Sequence, residues 1–351
     1  MNKVDEVRAR PKFPWLSLDD AAGLQDFLRK RGWLEADEQV LACEKPGEGN
    51  MNLTIRVRTC RRSFIVKQAR PWVEKYDHIS APWDRMQYEC RFYERVASIG
   101  PVAQRMPRLL GADLEARTIL LEDLADARVL TALYAGDSLS QGELAQLGGY
   151  LRALHEATSG PADPMFENRA MRQLNHEHIY EFPLAENNGL ELDKFEPGLA
   201  ATAASLRHDD SYQTLVRQTG ERYLQDGNCL VHGDYFPGSW LRTPGGIRVI
   251  DAEFCFYGDA EFDWGCAVAH LALASQPRAA AQSLLAAYDE GAGGSRAGPP
   301  LIARFAAVEV MRRLIGVAQL PLAPDRVHRS RLLERSRQAL IHQSWEVLWE
   351  E

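Results

Sequence analysis

A chain of 351 residues is longer than one core of ordinary size supports and suits two domains or lobes. With 45% hydrophobic and 26% charged residues it has the balance of a soluble globular protein, and no apolar run reaches the 18 residues of a spanning helix. A net charge of −8 argues against nucleic acid as the main partner, although one local site need not follow the whole-chain balance.

The opening stretch MNKVDEVRARPKF is charged and lacks the apolar segment of a secretory signal, so a cytoplasmic location and no membrane association are expected. The cysteines, Cys43, Cys60, Cys90, Cys229, Cys255 and Cys266, form no CxxC pair and have no histidines at metal-ligand spacing. They read as reduced thiols, with no structural zinc.

In chain order, SLDDAAGLQDFLRKRG predicts an amphipathic helix opened by a Ser/Asp cap and closed near Gly32. EKPGEGNMNLTIRVRT then gives a glycine turn followed by alternation of Leu53, Ile55 and Val57 with polar residues, the pattern of a half-buried strand. SFIVKQ predicts its hairpin partner, DRMQYECRFYERVAS a helix, and RLLGADLEARTILLEDL a further strand pair. Beyond about residue 140 the texture is helical: Leu144, Leu147, Leu151 and Leu154 share one face, and residues 200–225 predict another helix. A short extended block, CLVHGDYFPGSWLRTPGGIRVIDAEF, interrupts the helices, with Pro244-Gly245-Gly246 as a hairpin turn.

That block concentrates the chemistry. His232-Gly233-Asp234 follows an apolar strand, and Asp251-Ala252-Glu253 ends the next one, 17 residues beyond Asp234. In an extended segment residues two apart face one way about 6.5 Å apart, so Asp251 and Glu253 are expected to present hard oxygen ligands together, as Mg²⁺ prefers. Asp234, on the adjacent loop, is placed to accept a proton from a hydroxyl. Solvated loop acids and a turn cap are the competing account of these residues taken singly. Gly47, Gly49 and Asn50 precede a strand and would let backbone N–H groups approach phosphates. Lys67 ends the second strand, with Glu89 as its natural ion-pair partner and Glu94 as the alternative.

At these residues the chain resembles the aminoglycoside-phosphotransferase and choline-kinase superfamily, and within it the methylthioribose kinase branch. The segments are GEGNMNLTIRV, IVKQARPWV, HGDYFPGS, VIDAEFCFYGDAEFDWG and MRRLIGVAQL, running from residue 47 to about 320. The resemblance implies an α+β, bilobal protein-kinase-like fold: a β-rich nucleotide-binding lobe with an N-terminal helical extension over 1–124, and a mainly helical catalytic and substrate lobe over 125–351. It further implies ATP and Mg²⁺ as cofactors, Asp234 as catalytic base, and Asp251 and Glu253 as metal ligands, with Ser239 where most of the superfamily has a ligating asparagine. Lys67 would bind phosphate, Gly47 to Asn50 would cover the nucleotide, and Glu122 to Leu124 would form the adenine hinge. Asp263 would brace the catalytic loop, with His232 in support.

Arg312 and Arg313 match an arginine pair that contacts substrate, with an ion pair from Arg313 to Glu309 as the competing account. Trp83 resembles a tryptophan of a substrate loop. Tyr235, with Phe236 and Pro237, replaces smaller residues beside the catalytic aspartate, so it is expected to shape the acceptor pocket. The implied reaction is γ-phosphoryl transfer to a hydroxyl of a sugar or polyol, methylthioribose leading. Aminoglycoside or choline/ethanolamine-type kinases, and a non-catalytic nucleotide-binding pseudokinase, remain the alternatives. Dimers are common among such proteins, so the resemblance allows a homodimer.

Overall fold

The computed structural model describes residues 3–47, 49, 51–290, 298–323 and 326–350. The chain forms two compact units, Met1–Ala127 and Arg128–Glu351. The first is β-rich and the second mainly helical, an α+β protein overall.

In the first unit, α1 (Lys3–Ala9) and α2 (Ala21–Lys30) precede the strands. Asp20 caps α2 by accepting from the Gly23 N–H at 2.8 Å. The strands β1 (Val40–Glu44), β2 (Leu53–Thr59) and β3 (Ser63–Gln68) follow, then a small ribbon of β4 (Trp72–Val73) and β5 (Tyr76–Ser80). The helices α3 (Arg85–Val96) and α4 (Gly100–Ala103) lead to β6 (Leu109–Asp113) and β7 (Thr118–Glu122). The main sheet is antiparallel in the order β1-β2-β3-β7-β6. Alternation sends Ile55, Val57, Phe64 and Val66 to one face, where Leu24, Phe27 and Leu28 of α2 cover them. Lys67, one residue beyond Val66, therefore faces the other side, toward α3.

The second unit opens with β8 (Arg128–Val129) and a 3₁₀ turn over Leu130–Ala135, then α5 (Gln141–Ala157), whose Ser140 and Glu143 form a capping box. Next come α6 (Arg169–His176), α7 (Leu199–Arg207) and α8 (Asp210–Tyr223). The expected single helix over 200–225 is thus two helices. Asp209 interrupts it, since its carboxylate accepts from the Tyr212 N–H at 2.9 Å and starts a new N-terminus. The extended block supplies β9 (Cys229–Val231), β10 (Trp240–Thr243), β11 (Gly246–Val249) and β12 (Phe256–Gly258). Thr243 pairs with Gly246, so Pro244-Gly245 form the hairpin turn, and β9 pairs with β12.

The helices α9 (Ala260–Leu273), α10 (Arg278–Glu290), α11 (Pro299–Ile315) and α12 (Arg329–His342) complete the unit. Nearly every residue of α9 and α11 is buried, and the two pack on each other. Gly265 permits the close approach: a Cβ there would lie 2.7 Å from the Phe305 Cβ and 2.9 Å from the Ile302 carbonyl oxygen. Among the described residues no helix is long and apolar enough to cross a membrane.

Candidate active site

In the second unit, β9 delivers the chain into His232-Gly233-Asp234. Gly233 adopts φ +84°, and a Cβ there would sit 2.2 Å from the Phe254 carbonyl oxygen, so no other residue fits this turn unstrained. The buried Asp263 in the first turn of α9 braces it. Its carboxylate accepts from the backbone N–H of His232 (2.7 Å) and of Gly233 (3.0 Å), and bonds His155 Nε2 at 3.0 Å. His232 is oriented from both ring nitrogens: Nε2 lies 3.0 Å from the Ile250 carbonyl, and the Asp234 N–H donates to Nδ1 at 3.3 Å. A carbonyl only accepts, so the proton is on Nε2.

The Asp234 side chain is 24% exposed, with Arg313 3.6 Å and Arg312 3.8 Å away. Burial raises its pKa to about 6; Arg313 and then Arg312 oppose the rise, while Glu309 and Glu253 add to it. The group is thus held near the range where a carboxylate accepts a proton well at neutral pH.

Asp251 and Glu253 do not lie in an extended strand. β11 ends at Val249, Asp251 takes the left-handed conformation (φ +66°), and Ala252–Phe254 form a 3₁₀ turn. Phase-two alternation therefore does not apply, and the relation between the two carboxylates is set by the turn. Asn168 fixes that turn, donating from Nδ2 to the carbonyls of Glu253 and Cys255 at 2.9 Å each. A left-handed aspartate inside a braced turn is the kind of local strain that collects at functional sites. Ser239 is buried, and its hydroxyl donates to the Asp234 carbonyl at 2.9 Å, tying the His232–Asp234 loop to the start of β10.

Of the two residues expected at the acceptor pocket, Tyr235 lies in the core and Trp83 is half-buried in the first unit. Tyr235 is fully buried: its ring stacks on Tyr150 with centroids 5.6 Å apart, and its hydroxyl donates to the Leu147 carbonyl at 3.0 Å. Along the loop the next side chain turns outward, so Phe236 is the one beside Arg313, whose guanidinium lies 4.6 Å from its ring centroid. Trp83, in the first unit, donates to the Ala69 carbonyl at 2.9 Å and packs among Trp15 and Phe13, with Arg10 over its ring at 4.6 Å. Both large rings are used for packing, where their apolar area stabilises most.

Arg312 and Arg313 are buried, not at the surface, where an ion pair with Glu309 would be of little consequence. Each places its Nε 2.7 Å from the Glu309 carboxylate and points a terminal nitrogen toward Asp234. Arg312 also donates to Asn175 Oδ1 at 3.2 Å. The ion pair with Glu309 is thus present, and both guanidiniums also stand close to Asp234.

In the first unit, Lys67 Nζ lies 2.8 and 2.7 Å from the two oxygens of Glu89, both side chains buried. Gly47 and Gly49 lie in the exposed loop joining β1 to β2, whereas Asn50 falls outside the described residues. A Cβ on Gly47 would touch nothing within 4 Å and one on Gly49 only Thr54 Oγ1 at 3.9 Å, so packing inside the unit does not explain these glycines. The end of the loop is anchored by Arg85, fully buried on α3, which donates to Asn52 Oδ1 (3.0 Å) and the Met51 carbonyl (2.9 Å). Glu122 ends β7 and gives its N–H to the Arg108 carbonyl at 2.9 Å, and the Leu124 carbonyl accepts from Ala127 at 2.9 Å. Those backbone groups are engaged inside the unit.

Sequence reasoning missed Arg85, His155, Asn168 and the contacts that link Tyr134 through His270 to Glu309. Only His155 had a local signal, a polar residue four after Leu151 on the apolar side of α5. The others act across long chain separations that no periodicity reports.

The fold is shared with solved kinases. The AMP complex of LicA superposes with a TM-score of 0.54 at 14% identity, covering 92% of this chain and 98% of that one. A choline/ethanolamine kinase family protein from Mesorhizobium loti gives 0.51 at 17%, covering 88% and 92%. These likenesses define a kinase-like phosphotransferase architecture. Residues 42–300 match the phosphotransferase enzyme family known as APH, and the chain belongs to that family. The methylthioribose kinase of Pectobacterium carotovorum subsp. carotovorum is 29% identical over 264 residues, 71% of this chain and 64% of the relative. The chain thus spans somewhat less than two thirds of the length of the curated relatives it matches.

Proposed function

We propose that the protein is an ATP-dependent small-molecule kinase that phosphorylates a hydroxyl of a neutral sugar or polyol, with 5-methylthioribose the leading acceptor. The observation that carries this reading is Asp234, held by a braced loop at a raised pKa of about 6 beside two buried arginines. The acceptor hydroxyl gives its proton to Asp234 as its oxygen bonds the γ-phosphorus; the bond from that phosphorus to the β–γ bridging oxygen breaks, and ADP leaves with the electron pair.

Lys67, kept extended by Glu89, is assigned to the nucleotide phosphates, the Gly47–Gly49 loop to covering them, and residues 122–124 to adenine. Asp251 and Glu253 provide the hard carboxylate donors that suit Mg²⁺, with Ser239 holding the loop between them and Asp234. When bound there, the ion would neutralise charge on the phosphate oxygens. His232 and Asp263 keep the base in place. Cytoplasmic residence follows from the use of ATP, and a homodimer is the assembly to test first.

Choline or an aminoglycoside fits less well, because Arg312 and Arg313 repel a cationic acceptor. Screening neutral pentoses, methylthioribose, choline and aminoglycosides for acceptor-dependent ADP release tests the reading. Preference for the amines would overturn the acceptor class, and Mg²⁺-dependent ATP binding without any turnover would leave a nucleotide-binding module.

A further inference from the structure

Behind the two arginines lies a buried polar cluster that phosphoryl transfer does not by itself require. Glu309 on α11 accepts from Arg313 Nε and pairs with Arg312 Nε, each at 2.7 Å. His270 on α9 puts Nε2 2.9 Å from the same carboxylate, and its Nδ1 lies 2.6 Å from the Tyr134 hydroxyl, in the 3₁₀ turn that opens the unit. Tyr134 and His270 are fully buried and Glu309 nearly so. Contrary to the sequence reading of the cysteines, Cys266 has a histidine four residues on along α9, and Cys266, His270 and Glu309 bring one potential metal-ligand atom each within 4.8 Å of one another. A cation is nevertheless a poor occupant: both ring nitrogens already have partners, and two guanidiniums share the carboxylate.

Proton positions follow from the partners. Burial pushes the Glu309 carboxyl up, but Arg312, Arg313 and His270 outweigh it and hold it well below the usual range, so it is an acceptor only. Burial lowers the pKa of His270 to about 4, against the pull of Glu309, so the ring is neutral with a single N–H. That N–H must be on Nε2, facing Glu309. Nδ1 then accepts, and the Tyr134 hydroxyl donates to it. The chain runs one way, from Tyr134 through His270 to Glu309, which accepts from Arg313 and pairs by charge with Arg312. Phe236 closes the cluster, its ring 5.0 Å from that of His270 and under Arg313.

We propose that Tyr134, His270 and Glu309 form a positioning chain that fixes the Arg312 and Arg313 guanidiniums against Asp234 and so orients the acceptor; this rests on the phosphotransferase reading above. Three separate elements contribute one residue each, so the arrangement is a product of the tertiary fold. None of the three residues is assigned a contact with substrate. Without the Tyr134 hydroxyl, Nδ1 of His270 is a buried acceptor that has lost its donor, and the ring facing Glu309 keeps only one of its two anchors opposite the arginines.

The test uses Tyr134→Phe, which removes one buried oxygen, and Glu309→Gln, which keeps the shape and removes the charge. Arginine Nε–H exchange in the ligand-free protein is read by NMR, and kcat and KM are measured with ATP, Mg²⁺ and 5-methylthioribose. Tyr134→Phe is expected to speed exchange at Arg312 and Arg313 and to raise the acceptor KM about 3- to 10-fold, the scale of one lost hydrogen bond, with the ATP KM within about twofold. Glu309→Gln, if folded, should exceed it in both readouts. Unchanged exchange in Tyr134→Phe overturns the proposal, as does faster exchange with parental kcat and acceptor KM. If the parent phosphorylates no methylthioribose, the acceptor assignment fails instead, and the exchange measurement still decides whether the chain holds the arginines.

Discussion

The Arg313 guanidinium lies 3.6 Å from the Asp234 carboxylate, close enough to stabilise its charge yet beyond the reach of a direct hydrogen bond. That separation leaves the carboxylate an available proton acceptor. A tight bidentate pair would hold it in a low-pKa, weakly basic state.

Asp234→Asn should therefore lower kcat by about 10²- to 10⁴-fold, the usual cost of losing a general base. ATP affinity, measured by calorimetry, should stay within a fewfold, since the assigned phosphate and metal groups are untouched. A variant keeping more than half the parental kcat would remove Asp234 from the chemistry.

The raised pKa of Asp234 gives two pH signatures. Activity should fall on the acid side with an apparent pKa near 6, because the base must be ionised. In the ligand-free protein the sign for stability is opposite: a carboxyl raised on folding contributes stability that is present below its unfolded pKa and lost as pH rises through about 6. The Tm of Asp234→Asn minus that of the parent should thus increase between pH 4 and pH 7. A difference that is flat or falling contradicts the assignment.

Lys67→Ala is expected to raise the ATP KM, and also to destabilise the fold, because Glu89 would be left buried without its cation. Removing one partner of a buried pair typically costs about 3–5 kcal/mol. Adding Glu89→Gln should recover much of the Tm and none of the ATP affinity. Recovery of both would mean that Lys67 serves only the fold.

Asp251→Asn offers a clean test of the metal assignment, since asparagine tolerates the left-handed conformation that Asp251 adopts. Nucleotide binding should weaken with Mg²⁺ present and change little without it. Equal weakening in both conditions would point to a structural role for the turn.

Replacing Asp263 by Ala removes the acceptor of the two buried N–H groups of His232 and Gly233. Each orphaned donor costs about 1–3 kcal/mol, so a loss of roughly 2–6 kcal/mol is expected in denaturant unfolding, with kcat reduced. A parental unfolding midpoint would show that the loop holds its shape without Asp263.

The sequence by itself determined what local chemistry encodes. Alternating Leu53, Ile55 and Val57 specify a strand, Asp20 and Ser140 start helices, and His232-Gly233-Asp234 after CLV specifies an aspartate on a tight loop. Lys67 and Glu89 were also legible as a pair, because a strand end and the following helix supply the two charges in a recognised pattern. Only the tertiary structure decided which side chains of that loop look inward. Tyr235 and Phe236 are adjacent aromatic residues, and full burial against Tyr150 or a half-buried place beside Arg313 depends on packing partners 85 and 77 residues away. It likewise turned the Asp251–Glu253 segment from an expected strand into a left-handed turn held by Asn168. And it made Arg312 and Arg313 buried rather than superficial, since the same Glu309–Arg313 spacing occurs on any helix and the packing of α9 and α12 on α11, with Asn175 and Phe236 against the guanidiniums, withdraws it from water.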